Sequence, residues 1–304
     1  MMRMPMDSMG RALLRGCGTA IVTPFADDGA LDESSLRQLV EWQVTEGIHF
    51  LVPCGSTGEA ATMSAEEHRR VVEITVEQVN GRIPVVAGAG SNDTKKAIAI
   101  SKEMEAAGAT HLLHTSPMYN KPPQRGIVAH IRAVADAVDM PIVLYNVPGR
   151  TGSNVEAATT LEIAEHPNVT AVKEASGNIA QIAEIIRNKP GDFTVLSGDD
   201  GLTLSVMAEG GDGVVSVTSN VVPRLASRMV ELYDEGDVDG ARQIAHQLAA
   251  WTVAAFIESN PIPVKAALSI MGKIRNVLRL PLVPLKDSYE DSVREALRLA
   301  GVLG

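Results

Sequence analysis

Short apolar runs alternate with longer stretches of helical spacing along this chain, and the alternation recurs eight times. Runs of strand length fall at 18–22, 50–54, 85–88, 111–115, 142–147, 169–173, 193–197 and 213–217. Helical spacing occupies 32–46, 65–79, 94–107, 124–138, 155–164, 179–187 and 202–208. Ser64 ahead of Glu66 and Glu67, and Asn154 ahead of Glu156, predict helix starts. Gly47 and Gly108 stand where a helix ends in a left-handed residue. Strands joined through helices run parallel with right-handed crossovers. Eight such units predict a (β/α)8 TIM barrel. The second possibility is a doubly wound open sheet, whose first strand–helix turn should be a glycine-rich dinucleotide loop. Here that turn is Thr23-Pro24-Phe25-Ala26-Asp27-Asp28-Gly29, and the Gly88-Ala89-Gly90 triplet lacks both a third glycine and a downstream acid.

The strand pattern stops near Asp234. The expected organisation is therefore a barrel over 1–235 and a C-terminal helical extension over 236–304. Helices are expected over 236–258, 264–272 and 288–303, separated by two proline-containing segments around Pro261 and Pro281.

A chain of 304 residues is long enough for one such barrel. Its 37 acidic and 27 basic side chains give a formal charge of −10, which argues against nonspecific nucleic-acid binding. An anionic substrate remains compatible, because a few local cations override a distant net charge. Cys17 and Cys54 are too few for a disulfide framework and lie in apolar runs, so buried packing in a reducing compartment is expected. Residues 1–10 carry one arginine and no apolar stretch, unlike a secretory signal. No apolar run approaches the ~18 residues that a membrane helix needs. The expectation is a soluble, cytoplasmic protein with no membrane or nucleic-acid partner.

Barrel chemistry sits at the C-terminal ends of the strands. The second expected strand leads into Gly55-Ser56-Thr57-Gly58-Glu59. Its glycines let backbone approach a ligand and its two hydroxyls can bind or relay a proton, although a capped tight turn would look the same. The fourth strand leads to Tyr119-Asn120-Lys121-Pro122 and the fifth ends in Tyr145-Asn146-Val147-Pro148-Gly149-Arg150-Thr151. Two of only four tyrosines thus fall at strand ends. Lys173 ends the apolar run 169–172. Burying an ammonium is costly and lowers its pKa, which is what a Schiff-base nucleophile needs. At an ordinary pKa of about 10.4, only ~0.04% of a lysine is free amine at pH 7. The alternative is an exposed strand-end lysine paired with Glu174. Other polar residues point to structure rather than chemistry. His111 and His114, three apart, face opposite sides of a strand and make no metal pair. Asp199 and Asp200 look like loop or cap residues, and Glu66, Glu67 and His68 like a solvated helix start.

Gly18-Thr19-Ala20-Ile21-Val22-Thr23-Pro24-Phe25, the 55–59 loop, Tyr145, Lys173-Glu174-Ala175 and Gly213-Val214-Val215-Ser216 together resemble the dihydrodipicolinate synthase / N-acetylneuraminate lyase family of class I aldolase-like barrels. The match runs in order through nearly the whole chain, and the segments after Tyr119 and Tyr145 resemble the synthase branch. The resemblance implies a cofactor-free lyase in lysine and diaminopimelate biosynthesis. Lys173 would form an imine with pyruvate, whose enamine attacks L-aspartate 4-semialdehyde. It implies Tyr145 as acid–base in a relay through Ser56 and Tyr119, the last reaching in from a neighbouring subunit of a homotetramer or homodimer. Thr57 and the Val215 backbone would hold pyruvate, and Arg150 the second substrate's carboxylate. No metal site is implied. Ser56 departs from the threonine of most synthases while keeping the hydroxyl. The alternative within the family is a pyruvate-dependent aldolase for 2-keto-3-deoxy-sugar acids or N-acetylneuraminate. By the same resemblance, the glutamate, histidine and tyrosine that bind feedback L-lysine are replaced by Lys96, Ala65 and Met118, with Asn92 and His68 retained, which predicts weak inhibition.

Overall fold

Eight parallel strands form one sheet in the computed structural model, which describes residues 13–303 together with Met6 and Gly10. Most of the 1–10 segment judged unlike a secretory signal lies outside the described residues. The strands are β1 Gly16–Thr19, β2 Phe50–Leu51, β3 Val86–Gly88, β4 His111–Thr115, β5 Ile142–Asn146, β6 Val169–Glu174, β7 Thr194–Ser197 and β8 Gly213–Ser216. Their order is β2-β1-β8-β7-β6-β5-β4-β3. Pairing of the first strand with the last is what a (β/α)8 barrel requires and what a doubly wound sheet does not produce.

The helices are α1 Glu33–Thr45, α2 Ala65–Val79, α3 Thr94–Ala106, α4 Gln124–Ala135, α5 Pro148–Thr151, α6 Ala157–Ala164, α7 Ile179–Asn188, α8 Thr203–Ala208 and α9 Pro223–Asp234, followed by α10 Val238–Ala254, α11 Ile262–Ile270 and α12 Glu290–Leu299. Ser64 and Glu67 form a reciprocal capping box at α2. Gly47 and Gly108 take φ of 88° and 86° after α1 and α3, as their positions predict. Among the described residues no helix is long and apolar enough to cross a membrane.

Two units each bury their own apolar residues. Met1–Gly16 with Pro84–Val215 forms one, and Cys17–Ile83 with Ser216–Gly304 the other. The first buries Ile142, Leu144, Val172 and Val195 from its strands and Ile131, Ile163 and Ile185 from its helices. The second buries Phe25, Phe50, Leu36, Ile74, Trp251 and Leu268. Each such side chain contributes roughly 1.5–3 kcal/mol. Gly18 lies where an added Cβ would stand 2.0 Å from the Phe50 ring, so only glycine lets β1 approach β2 over that ring.

Several element ends differ from the sequence pattern for visible reasons. β1 spans only Gly16–Thr19; Ala20 and Ile21 still donate to the Ser216 and Val52 carbonyls, and the backbone pairing gives out at Val22, whose N–H is taken by the Asn220 side chain. β2 stops at Leu51 because Cys54 turns left-handed (φ 57°) and Gly58 N–H closes back on the Gly55 carbonyl. β5 ends at Asn146, since Val147 leads into α5, a single turn with Pro148 at its start that the spacing did not reveal. Asn154 is not a cap. Glu156 precedes α6, and the Asn154 side chain bonds Asn146 and Gln181 instead. α9 was also hidden in the pattern, with Pro223 at its first turn.

Candidate active site

Alternation along β5 and β6 sorts four polar residues onto two faces. Tyr145 pairs in register with Lys173, and Asn146 with Glu174. On one face the Lys173 ammonium lies 4.3 Å from the Tyr145 ring centroid, within cation–π range. On the other face the Asn146 amide donates to both Glu174 oxygens at 3.1 and 3.0 Å. The Ser176 N–H (2.7 Å) and the Gln181 amide (3.1 Å) also donate to Glu174. Glu174 is therefore committed to holding β5, β6 and the start of α7, and it is not the partner of Lys173. The exposed-lysine alternative also fails on burial, since Lys173 is 5% exposed.

Burial pushes the Lys173 ammonium down to about 8, with Asp200 pulling against that shift and Arg150 adding to it. The Tyr145 phenol, 6% exposed, is pushed up to about 12 by burial, which Arg150 opposes. The result is a nucleophile with a substantial free-amine population near neutral pH beside a hydroxyl that keeps its proton. Space for the lysine stem depends on Gly198 after β7. A Cβ there would lie 2.6 Å from Ala175 Cβ and 3.1 Å from Lys173 Cε. Sequence reasoning missed Gly198, and it missed Asp200 as an influence on Lys173. Asp199 is the loop cap expected of it, accepting from the Gly201 N–H.

Arg150 is exposed on α5. The 118–121 segment runs beside it, with the Tyr119 N–H donating to the Thr151 carbonyl (3.3 Å). Tyr119 takes φ 71° and Lys121 φ 44°, left-handed values that cost non-glycine residues about 1–2 kcal/mol each. The strained backbone leaves the Tyr119 side chain 88% exposed, so this chain does not bring it against Tyr145. Val215 is buried in β8.

In the other unit, Ser56 is exposed and Thr57 buried on the loop after β2. Thr57 Oγ1 accepts from the Asn260 amide at 2.9 Å, which leaves the hydroxyl hydrogen to donate elsewhere. Asn260 was read only as part of a linker. Glu67 is more than a solvated helix start: Arg279 donates to its Oε2 at 2.7 Å and holds the carboxyl down to about 2. Cys17 and Cys54 are both buried, and burial pushes the Cys54 thiol up, against any thiolate role. His114 bonds Ser101 (3.1 Å) and His111 bonds Thr110 (2.9 Å), each apart from the other.

Comparison with known proteins identifies the family. Residues 13–300 match the model of the dihydrodipicolinate synthetase family. A 4-hydroxy-tetrahydrodipicolinate synthase of Koribacter versatilis is 51% identical, covering 95% of this chain and 97% of its own. The crystal structure of dihydrodipicolinate synthase from Thermotoga maritima superposes with a TM-score of 0.94 at 42% identity, covering 96% of this chain and 100% of that one. The chloride-inhibited synthase from Acinetobacter baumannii, solved in complex with pyruvate, superposes with a TM-score of 0.93 at 41% identity over 95% of this chain and 99% of that one. With its strand order, its buried lysine–tyrosine pair and a match over nearly its whole length, the chain belongs to the dihydrodipicolinate synthetase family.

Proposed function

We propose that this protein condenses pyruvate with L-aspartate 4-semialdehyde to 4-hydroxy-tetrahydrodipicolinate, through an imine on Lys173. The observation that carries the mechanism is the buried Lys173 amine, lowered to about 8 beside the Tyr145 ring. The amine attacks the keto carbon of pyruvate, and loss of water leaves the imine. Removal of a methyl proton gives the enamine, whose carbon bonds to the aldehyde carbon of the second substrate. Attack by that substrate's own amino group then closes the ring and frees Lys173. The imine on Lys173 activates the pyruvate methyl group towards the aldehyde, so in this reading the covalent bond to lysine supplies the electron sink and no cofactor or metal is called for.

Tyr145 supplies and recovers protons, in a relay with Ser56 and with Tyr119 of a neighbouring copy in a homodimer or homotetramer. The exposed Tyr119 ring, held out on a left-handed backbone, supports that assignment. Thr57 and the Val215 backbone hold pyruvate, and Arg150 engages the carboxylate of the semialdehyde with its planar fork. Residues 1–235 form the catalytic barrel in this reading, and 236–304 a helical region attached to it. The high identity to named synthases favours this reaction over a sugar-acid or N-acetylneuraminate aldolase.

Borohydride reduction in the presence of pyruvate should attach a reduced pyruvyl group to Lys173 and abolish turnover. Mass spectrometry locates the adduct. An unmodified Lys173, or an adduct on another lysine, overturns the mechanism. A coupled assay with the semialdehyde beside a panel of sugar aldehydes settles the second substrate.

A further inference from the structure

A second lysine is buried more completely than Lys173. The Lys265 and Glu59 side chains are both 0% exposed and paired, Lys265 Nζ donating to Glu59 Oε1. Lys265 lies on α11 and Glu59 ends the 55–59 loop, 206 residues away in sequence. The same ammonium donates to the Val277 carbonyl (2.8 Å) and sits 4.2 Å over the Phe25 ring. The second Glu59 oxygen accepts from the Arg279 N–H at 3.1 Å. Both carboxylate oxygens are thus held by the segment 265–279. Arg279 is itself fixed, with its guanidinium 4.2 Å over Phe25 and bonded to the Gly29 and Thr62 carbonyls.

Glu59 is also a backbone singularity. It takes φ 56° and ψ 32°, a left-handed conformation that a glutamate adopts only when its surroundings impose it. Cys54 at φ 57° brackets the other end of the loop. Between them the Gly58 N–H donates to the Gly55 carbonyl (3.1 Å) and the Glu59 N–H to the Ser56 carbonyl (3.2 Å). The placement of Ser56 and Thr57 therefore follows from where the Glu59 backbone is pinned. Asn260, two residues before α11, donates directly to Thr57 Oγ1.

A buried ion pair is a poor device for stability alone, since a well-packed neutral pair of similar volume is often as stable or more so. What an ion pair with both oxygens engaged does supply is a single orientation. We propose that the buried Glu59–Lys265 pair is a positioning couple: it locks the left-handed Glu59 and so holds the Ser56–Thr57 hydroxyls in the geometry the pyruvate half-reaction uses, making α11 and the 277–279 segment part of the catalytic apparatus. This rests on the assignment of Thr57 to pyruvate made above.

The test separates positioning from stability. In the Glu59→Gln/Lys265→Met double variant both charges are gone and the volumes are nearly kept. Its thermal midpoint should stay close to the parent's, while kcat/KM for pyruvate falls at least ~10-fold, the kind of loss that misplaced reacting groups produce. The lower limb of the pH profile, set by Lys173, should not move. Adding Thr57→Val to the double variant should cost little more, because the two changes remove one function. A folded double variant with kcat/KM within twofold of the parent overturns the proposal, as does full additivity with Thr57→Val. Should the double variant fail to fold, Glu59→Gln alone, which keeps one oxygen acceptor but leaves Lys265 unpaired and so lowers the thermal midpoint, is assayed well below that midpoint and carries the same loss of kcat/KM and the same two refutations. Thr57→Val by itself is the control for the underlying assignment: parental pyruvate kinetics there remove Thr57 from the mechanism. A Thr57→Val defect with an unaffected pair variant removes only the positioning couple.

Discussion

Lys173 and Lys265 are both buried ammonium groups, and burial draws each down to about 8. Their roles separate by partner. Lys265 has the Glu59 carboxylate against it, whereas the acid next to Lys173 in sequence, Glu174, points to the opposite face and is saturated by Asn146, Ser176 and Gln181. A lysine with an aromatic ring beside it and no carboxylate bonded to it can shed its proton and attack a carbonyl. With the attacking species the free amine, kcat/KM for pyruvate should rise with pH and level off above about 8, since below that value the free-amine fraction falls about tenfold per unit. A profile with no lower limb between pH 6 and 9 contradicts a titrating Lys173. Tyr145→Phe keeps the ring that faces Lys173 and removes only the hydroxyl. Turnover should drop by ~10²–10⁴-fold, the usual size of an acid–base contribution, in a protein that still folds and still traps pyruvate on Lys173. Near-parental turnover in the folded variant removes Tyr145 from the relay.

At the scale of elements, β4 with α3 and α4 contains a titratable weak point. His114 on β4 is fully buried, bonded through Nε2 to Ser101 of α3, with Nδ1 unpartnered. Burial and the neighbouring charge of His130 push its pKa from 6.5 down to about 3. Between those two values the unfolded chain takes up a proton that the folded chain refuses. The packing of these elements therefore contributes fully above about pH 6.5 and loses up to ~1.4 kcal/mol for each unit of acidification towards 3. Urea unfolding at pH 7 and pH 5 should show the parent losing ~2 kcal/mol more than a His114→Leu variant over that interval. Equal losses in parent and variant would mean that His114 accepts its proton in the folded state.

For the molecule as a whole, regulation turns on charge. Lys96 is exposed in the first turn of α3, and the Asn92 amide reaches the Met118 carbonyl at 3.3 Å. By family resemblance these positions border the feedback site, where a glutamate would attract the ammonium of free L-lysine. A cation there repels it, and each ~1.4 kcal/mol of lost attraction is tenfold in affinity. L-Lysine should accordingly inhibit weakly or not at all, with no half-inhibition below millimolar concentration. A submillimolar half-inhibition in a dose–response assay would show an intact site.

Much of this molecule was written in local pattern. The eight apolar runs, the Ser64–Glu67 capping box and the left-handed Gly47 and Gly108 all act over a few residues, so strand–helix alternation and hence the barrel were legible from the chain. Lys173 and Tyr145 were legible for a related reason: a polar residue ending an apolar strand must be solvated, paired or functional. Nothing local told whether Lys173 would be paired. That was decided by the register of β5 on β6, which puts Tyr145 beside the amine and gives Glu174 to Asn146. The roles of Gly198, Asn260 and the Glu59–Lys265 pair were equally invisible, because each depends on side chains brought together across long stretches of chain. Periodicity reports which face of an element avoids water; only tertiary packing determines which groups that face meets and therefore how they ionise.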